Sequence, residues 1–122
     1  MELITKEIED KLAKHPLYSN DNTPLLDQKI IVKYFNPYGV GTWLITEAKK
    51  QEDGDYLLYG LCFLAEWEAG YTTLKQLEEI RDNKEAMSVE VDLYIKENQT
   101  IGEYLQANDI EAYNYFKELA EE

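Results

Sequence analysis

Apolar and polar positions change period several times along the chain, and each change predicts an element. Ile8 and Leu12 share one face of a helix over residues 5–14, with Thr5 as its N-cap. Pro16 closes it, because the residue before a proline avoids helical geometry. Residues 18–27 are turn formers throughout and predict a loop. Residues 29–35 are β-branched and aromatic and predict a strand, which Asn36-Pro37-Tyr38-Gly39 turns back. Two apolar runs, 42–48 and 56–64, then flank Glu52-Asp53-Gly54-Asp55, a hairpin with a loop longer than the two-residue ideal. In the first run, strand alternation sets Trp43, Ile45 and Glu47 on one side and Thr42, Leu44 and Thr46 on the other. The second run is almost continuously apolar, as in a strand covered on both faces. Gly60 within it predicts a bulge or the close approach of another backbone.

Beyond the hairpin, Glu66-Trp67-Glu68-Ala69-Gly70-Tyr71 reads as an acidic, aromatic lead into a helix. Thr73 and Gln76 form a capping box, and Leu74, Leu77 and Ile80 follow at helical spacing, giving a helix near 73–82. Residues 88–96 alternate strictly. Val89, Val91, Leu93 and Ile95 line one face against Glu90, Asp92, Tyr94 and Lys96, which predicts a strand with one wet face. Thr100 and Glu103 open a short helix by a second capping box. Asp109 caps a last helix carrying Ile110, Tyr113, Phe116 and Ala120. The sum is an α+β fold in one domain spanning 1–122. It has an antiparallel sheet of about four strands, an N-terminal helix, the helix near 73–82 and two C-terminal helices, with the helices on one face and at the end.

Charge narrows the function classes. Twelve basic residues face 25 acidic ones, a net charge of −13. The excess is uneven: residues 62–122 hold 15 acidic and 5 basic groups, against 10 and 7 before them. Such a chain repels phosphate backbones and anionic membranes, so direct nucleic-acid or membrane binding is not expected; the excess reads either as a solvated, solubilising face or, in the sharper reading, as a surface made for a basic protein partner. The absence of a basic segment followed by an apolar core argues against a signal peptide. No run is long enough to cross a bilayer, so the expected location is cytoplasmic.

Candidate chemistry is sparse. A single cysteine, Cys62, lies in an apolar run and reads as a buried small hydrophobe. His15, the single histidine, sits at a helix end, so a Cys62–His15 dyad has little support and a zinc site lacks ligands. Glu47, Glu66, Glu68 and Asp92 are the carboxylates that a metal-dependent or acid–base hydrolase would use, and such an enzyme is the alternative reading. The Glu52–Asp55 turn lacks the ligand spacing of a calcium loop, and Gly39-Val40-Gly41 lacks the third glycine of a phosphate loop. No catalytic residue, metal ligand or cofactor is assigned. The aromatic residues Trp67, Tyr71 and Tyr94, interleaved with Glu66, Glu68, Glu90 and Asp92, suit a protein interface, since Trp and Tyr anchor such surfaces and carboxylates steer a basic partner.

Four ordered motifs carry a resemblance. They are Thr42-Trp43-Leu44-Ile45-Thr46-Glu47, Glu52-Asp53-Gly54-Asp55, the stretch from Glu68-Ala69-Gly70-Tyr71 to Glu79-Ile80-Arg81, and Val89-Glu90-Val91-Asp92-Leu93-Tyr94. Together with the opening Met1-Glu2-Leu3-Ile4-Thr5-Lys6-Glu7-Ile8, they make the chain resemble the DUF 2958 family from residue 1 to about residue 96, with the two C-terminal helices beyond the likeness. The resemblance implies no enzyme chemistry and no catalytic residues. It implies kinship with small proteins of plasmids, phages and other mobile elements, and hence host-facing or accessory roles. The expected function is therefore protein–protein contact. In the sharper form, an acidic surface of Glu66, Trp67, Glu68, Tyr71, Glu90 and Asp92 mimics nucleic acid and inhibits a basic, nucleic-acid-handling defence protein. A structural accessory subunit, dimerising through its tyrosine-rich last helix, is a further alternative.

Overall fold

A computed structural model describes residues 2–83 and 88–122. The chain opens with α1 (Lys6–Ala13), whose cap Thr5 accepts the Ile8 N–H at 3.3 Å. A single 3-10 turn (Leu25–Asp27) leads to β1 (Val32–Phe35), then β2 (Thr42–Lys50), β3 (Tyr56–Phe63) and β4 (Trp67–Thr73). Next come α2 (Leu74–Asp82), β5 (Glu90–Val91), α3 (Ile101–Asn108) and α4 (Ile110–Glu121). Both expected capping boxes form: Thr73 with Gln76 on α2, and Thr100 with Glu103 on α3. The strands make one antiparallel sheet in the order β4-β3-β2-β1-β5, so the α+β class holds, with five strands among the described residues rather than about four.

Helices cover both faces of this sheet, not one face and an end. On the first face Trp43, Ile45 and Leu58 pack with Leu3, Leu12 and Leu77, bringing in α1 and α2. On the second, Leu44 and Leu61 pack with Ile101, Tyr104 and Leu105 of α3, joined by Tyr113 and Phe116 of α4. Alternate residues of β2 feed different cores, so nearly the whole strand is buried and no polar face was left to read.

Three local expectations are corrected. First, β2 carries a bulge between Ile45 and Glu47 that leaves Thr46 outside the register with β3. One extra residue inverts the alternation beyond it. Unbroken alternation would have kept Glu47 with Trp43 and Ile45; instead Ala48 joins their core, and Glu47 pairs with Tyr59 on the opposite face. Gly60 lies opposite Ile45 beside the bulge, where a Cβ would sit 1.9 Å from the Leu44 carbonyl oxygen. The close approach of another backbone is what requires the glycine, and the bulge lies in the facing strand rather than in its own.

Second, residues 67–73 form an edge strand instead of a lead into α2, paired with β3 from Phe63↔Trp67 to Leu57↔Thr73. Its alternation was hidden because Ala69 and Gly70 contribute little apolar signal. Third, the expected strand 88–96 is reduced to Glu90–Val91. The Asp92 carboxylate accepts the Tyr94 N–H at 2.8 Å, an Asx turn that ends the pairing. Val89 and Val91 reach the first core, but Ile95 packs on the second. The chain crosses the sheet edge between them, leaving Leu93 and Tyr94 exposed.

Candidate functional site

The sheet order decides how the expected contact residues are grouped. Glu66, Trp67, Glu68 and Tyr71 belong to β4 and the bend before it, at one edge; Glu90 and Asp92 belong to β5 and its end, at the other. Four inter-strand spacings separate the two edges, roughly 19 Å. The six residues therefore form two groups.

At the β5 edge, Asp92 is half-buried and its carboxylate meets the Lys33 ammonium at 3.1 Å. Lys33 also lies 5.0 Å from the Tyr104 ring centroid. Burial pulls the lysine down, but Tyr104 and Asp92 outweigh it and hold the ammonium above its ordinary range. Asp92 thus serves an internal pair.

The β4 edge is different. Glu66 and Glu68 are exposed, and among the described residues neither makes an ion pair. Trp67, expected on the surface, is half-buried in the second core. Its ring centroid lies 5.1 Å from that of Phe63 and edge-on to Tyr104 at 6.3 Å. Its Nε1–H donates to Asp109 Oδ2 at 3.0 Å, and Oδ1 of the same carboxylate accepts the Ala112 N–H to cap α4. Trp67 therefore anchors the edge to the C-terminal helices. On the first face, beside β4, lies a cleft of about 350 Å³ lined by Trp43, Cys62, Glu66, Glu68 and Gly70. Gly70 leaves its floor open, with no atom within 4 Å of the position a Cβ would take.

Tyr71 is exposed and stacks on its cross-strand partner Tyr59 with centroids 4.8 Å apart. Desolvation, then the neighbouring Tyr18 hydroxyl, raise its pKa. Tyr18 is held in the left-handed region, φ 73°, and its N–H donates to Glu47 Oε1 at 2.9 Å. These residues extend the β4 edge with three tyrosines, and the sequence offered no sign that Tyr18 would join them.

The alternative chemistry does not assemble. Glu47 is occupied by backbone N–H groups, Asp92 by Lys33, and Glu66 and Glu68 lie on the far edge from Asp92. Among the described residues no group of three or more His, Cys, Asp and Glu side chains is placed to hold a metal ion. Cys62 is half-buried and its thiol is pushed up to about 11 by burial. It lines the β4 cleft, whereas His15 lines another, so the two make no dyad.

Among the described residues no helix is long and apolar enough to cross a membrane. No curated protein and no solved structure matches the chain. A family model, described as a protein of unknown function (DUF2958), matches residues 3–112, from the strand of chain before α1 through α3 and into the first turn of α4. The likeness thus extends past residue 96 to include the helices that Trp67 is tied to. With nearly the full length matched, the chain belongs to the DUF2958 family.

Proposed function

We propose that this protein acts by protein–protein contact, its β4 edge receiving a basic partner. The observation that carries the reading is one of position and charge. β4 is a seven-residue strand with no described strand outside it, flanked by the exposed carboxylates Glu66 and Glu68 and by Tyr71. An edge strand offers unpaired backbone groups that a partner can extend, and carboxylates beside it select cations over anions. Trp67 ties the edge to α4 through Asp109, which lowers the conformational freedom left to be lost on contact.

In its specific form, the protein is a cytoplasmic accessory factor of a mobile element, such as a phage, and inhibits a nucleic-acid-handling protein. Glu66 and Glu68 then occupy part of a groove that otherwise holds phosphates. Glu90 and Asp92 on the far edge are not needed for this contact.

The test is a pull-down from host lysate across a salt series, run with the native chain and with Glu66→Lys/Glu68→Lys. A partner released by salt, displaced by DNA or RNA and lost in the variant is the expected result. Capture that survives the charge reversal rejects the acidic edge as the contact.

A second reading concerns self-association. No residue of α4 is fully buried, and Ile110, Tyr115 and Leu119 are exposed along it. This favours a homodimer through α4, which the mass in solution tests directly.

A further inference from the structure

The few cations of this chain are not spread evenly. Lys11, Lys14 and His15 at the C-terminal end of α1, Lys29 ahead of β1 and Lys96 before α3 line one cleft of about 230 Å³. Ile30, Ile31 and Ile95 supply apolar wall, and among the described residues Glu97 is the one carboxylate that lines it. Backbone hydrogen bonds fix these pieces together. The Ile30 N–H donates to the Gln99 carbonyl at 2.8 Å, the Gln99 N–H to Lys96 at 3.2 Å, and the Ala48 N–H to His15 at 3.0 Å.

Part of this has an ordinary explanation. Cations suit a helix C-terminus, and Lys11 lies 3.6 Å from Glu7 one turn back. Lys29 and Lys96 come from other elements and have no such reason to be there. Among the described residues Lys14, Lys29 and Lys96 make no ion pair, although acidic residues outnumber basic ones 25 to 12. A carboxylate-rich chain that leaves three lysines unpaired around one concavity has a local field opposite to its net charge.

We propose that this cleft binds a small phosphate anion, with Lys14, Lys29 and Lys96 supplying charge and His15 a ring N–H. No aromatic ring lines it, so it offers no platform for a base, and the phosphate chain is the recognised group. The net charge of −13 opposes a long polyanion, but at physiological salt charges beyond about 8 Å are screened and a compact anion meets mainly the local lysines. Burial, then Lys29 and Lys14, hold the imidazole below its usual range, as a cationic, partly enclosed site would. Lys11, Lys96 and Glu97 are the other charged groups lining the cleft. A bound anion offsets the lysines and raises the pH at which His15 titrates.

His15 is the chain's one histidine, so its ring signals report this site alone in an NMR titration. The probes are inorganic pyrophosphate and ADP at constant ionic strength, against the native chain and Lys29→Ala/Lys96→Ala. Both substitutions are at exposed positions, and a thermal melt checks that the variant remains folded. The expected result is saturable movement of the His15 signals and a higher titration midpoint with both probes, weakened about tenfold or more in the variant. No saturable movement at millimolar pyrophosphate overturns the proposal. So does binding of ADP without pyrophosphate, or affinity unchanged in the folded variant.

Discussion

The Glu47 carboxylate, buried in β2, accepts the backbone N–H of Tyr18 at 2.9 Å through one oxygen, and its other oxygen takes the Asn20 N–H at 2.9 Å. One side chain therefore fastens the loop after α1 to the middle of the sheet, and the loop brings Tyr18 to Tyr71. The bulge at Thr46 makes this possible, because it moves Glu47 out of the Trp43 core and onto the other face. Removing an acceptor that serves two sheltered donors leaves both unsatisfied. Glu47→Ala is expected to destabilise the fold by about 3 kcal/mol. Glu47→Gln keeps one carbonyl acceptor and is expected to cost less. Denaturant midpoints of the two variants check this, and equal stability of Glu47→Ala and the native chain would sink the idea.

Gly60 and Gly70 face each other across β3 and β4 but have opposite tolerances. A Cβ on Gly60 meets the Leu44 carbonyl oxygen at 1.9 Å, backbone that cannot move without breaking the bulge. Gly60→Ala is expected to cost about 3 kcal/mol or to prevent folding. Gly70→Ala has open space and is expected to stay within about 0.5 kcal/mol of the native chain. Thermal melts of the pair decide it.

Trp67 and Asp109 are 42 residues apart and joined by one hydrogen bond. Asp109→Ala removes both that bond and the α4 cap, for an expected loss of about 2 kcal/mol. Trp67→Phe keeps most of the ring packing and loses the N–H. A double-mutant cycle is expected to give a coupling of about 1 kcal/mol, and zero coupling would separate the edge from the C-terminal helices.

Tyr56 donates its hydroxyl to Glu9 Oε2 at 2.7 Å. Burial, then this bond, push the phenol up to about 12, while Tyr56 and Lys50 draw Glu9 below the usual carboxylate range. The signs give two losses. The phenol's contribution is complete below pH 10 and is lost as pH rises through 12; the carboxylate's is complete above its unfolded pKa and is lost as pH falls through the lowered folded value. Stability curves of the native chain and Tyr56→Phe are expected to converge at both extremes. Parallel curves throughout would argue against the coupling.

Cys62 offers a direct probe of the β4 cleft. Its thiol, pushed up to about 11 by burial, is almost wholly protonated at pH 8 and should react slowly with iodoacetamide. Rapid labelling at pH 8 would contradict the burial.

Local order was legible wherever neighbours along the chain carry it. Thr5, Thr73, Thr100 and Asp109 cap α1, α2, α3 and α4 through contacts three residues away, and the hairpin follows from two apolar runs about an acidic turn. The α+β class and the family motifs came from the same short-range patterns. Acidic character was equally plain, since charge is additive. What sequence could not supply was the side of the sheet on which each element lies. Alternation over 88–96 persists through Leu93 and Ile95, yet an Asx turn at Asp92 carries the chain around the edge. Trp67 looked like surface because its partner, Asp109, lies far along the chain. Glu66 and Glu68 were grouped with Glu90 and Asp92 by composition, and strand order set them on opposite edges. Sequence by itself determined the elements, the caps and the charge, because these depend on residues within a turn or two. Strand order, the bulge and the pairing of distant polar groups were decided by tertiary structure alone, because burial and backbone pairing are settled by contacts between segments that sequence proximity does not relate.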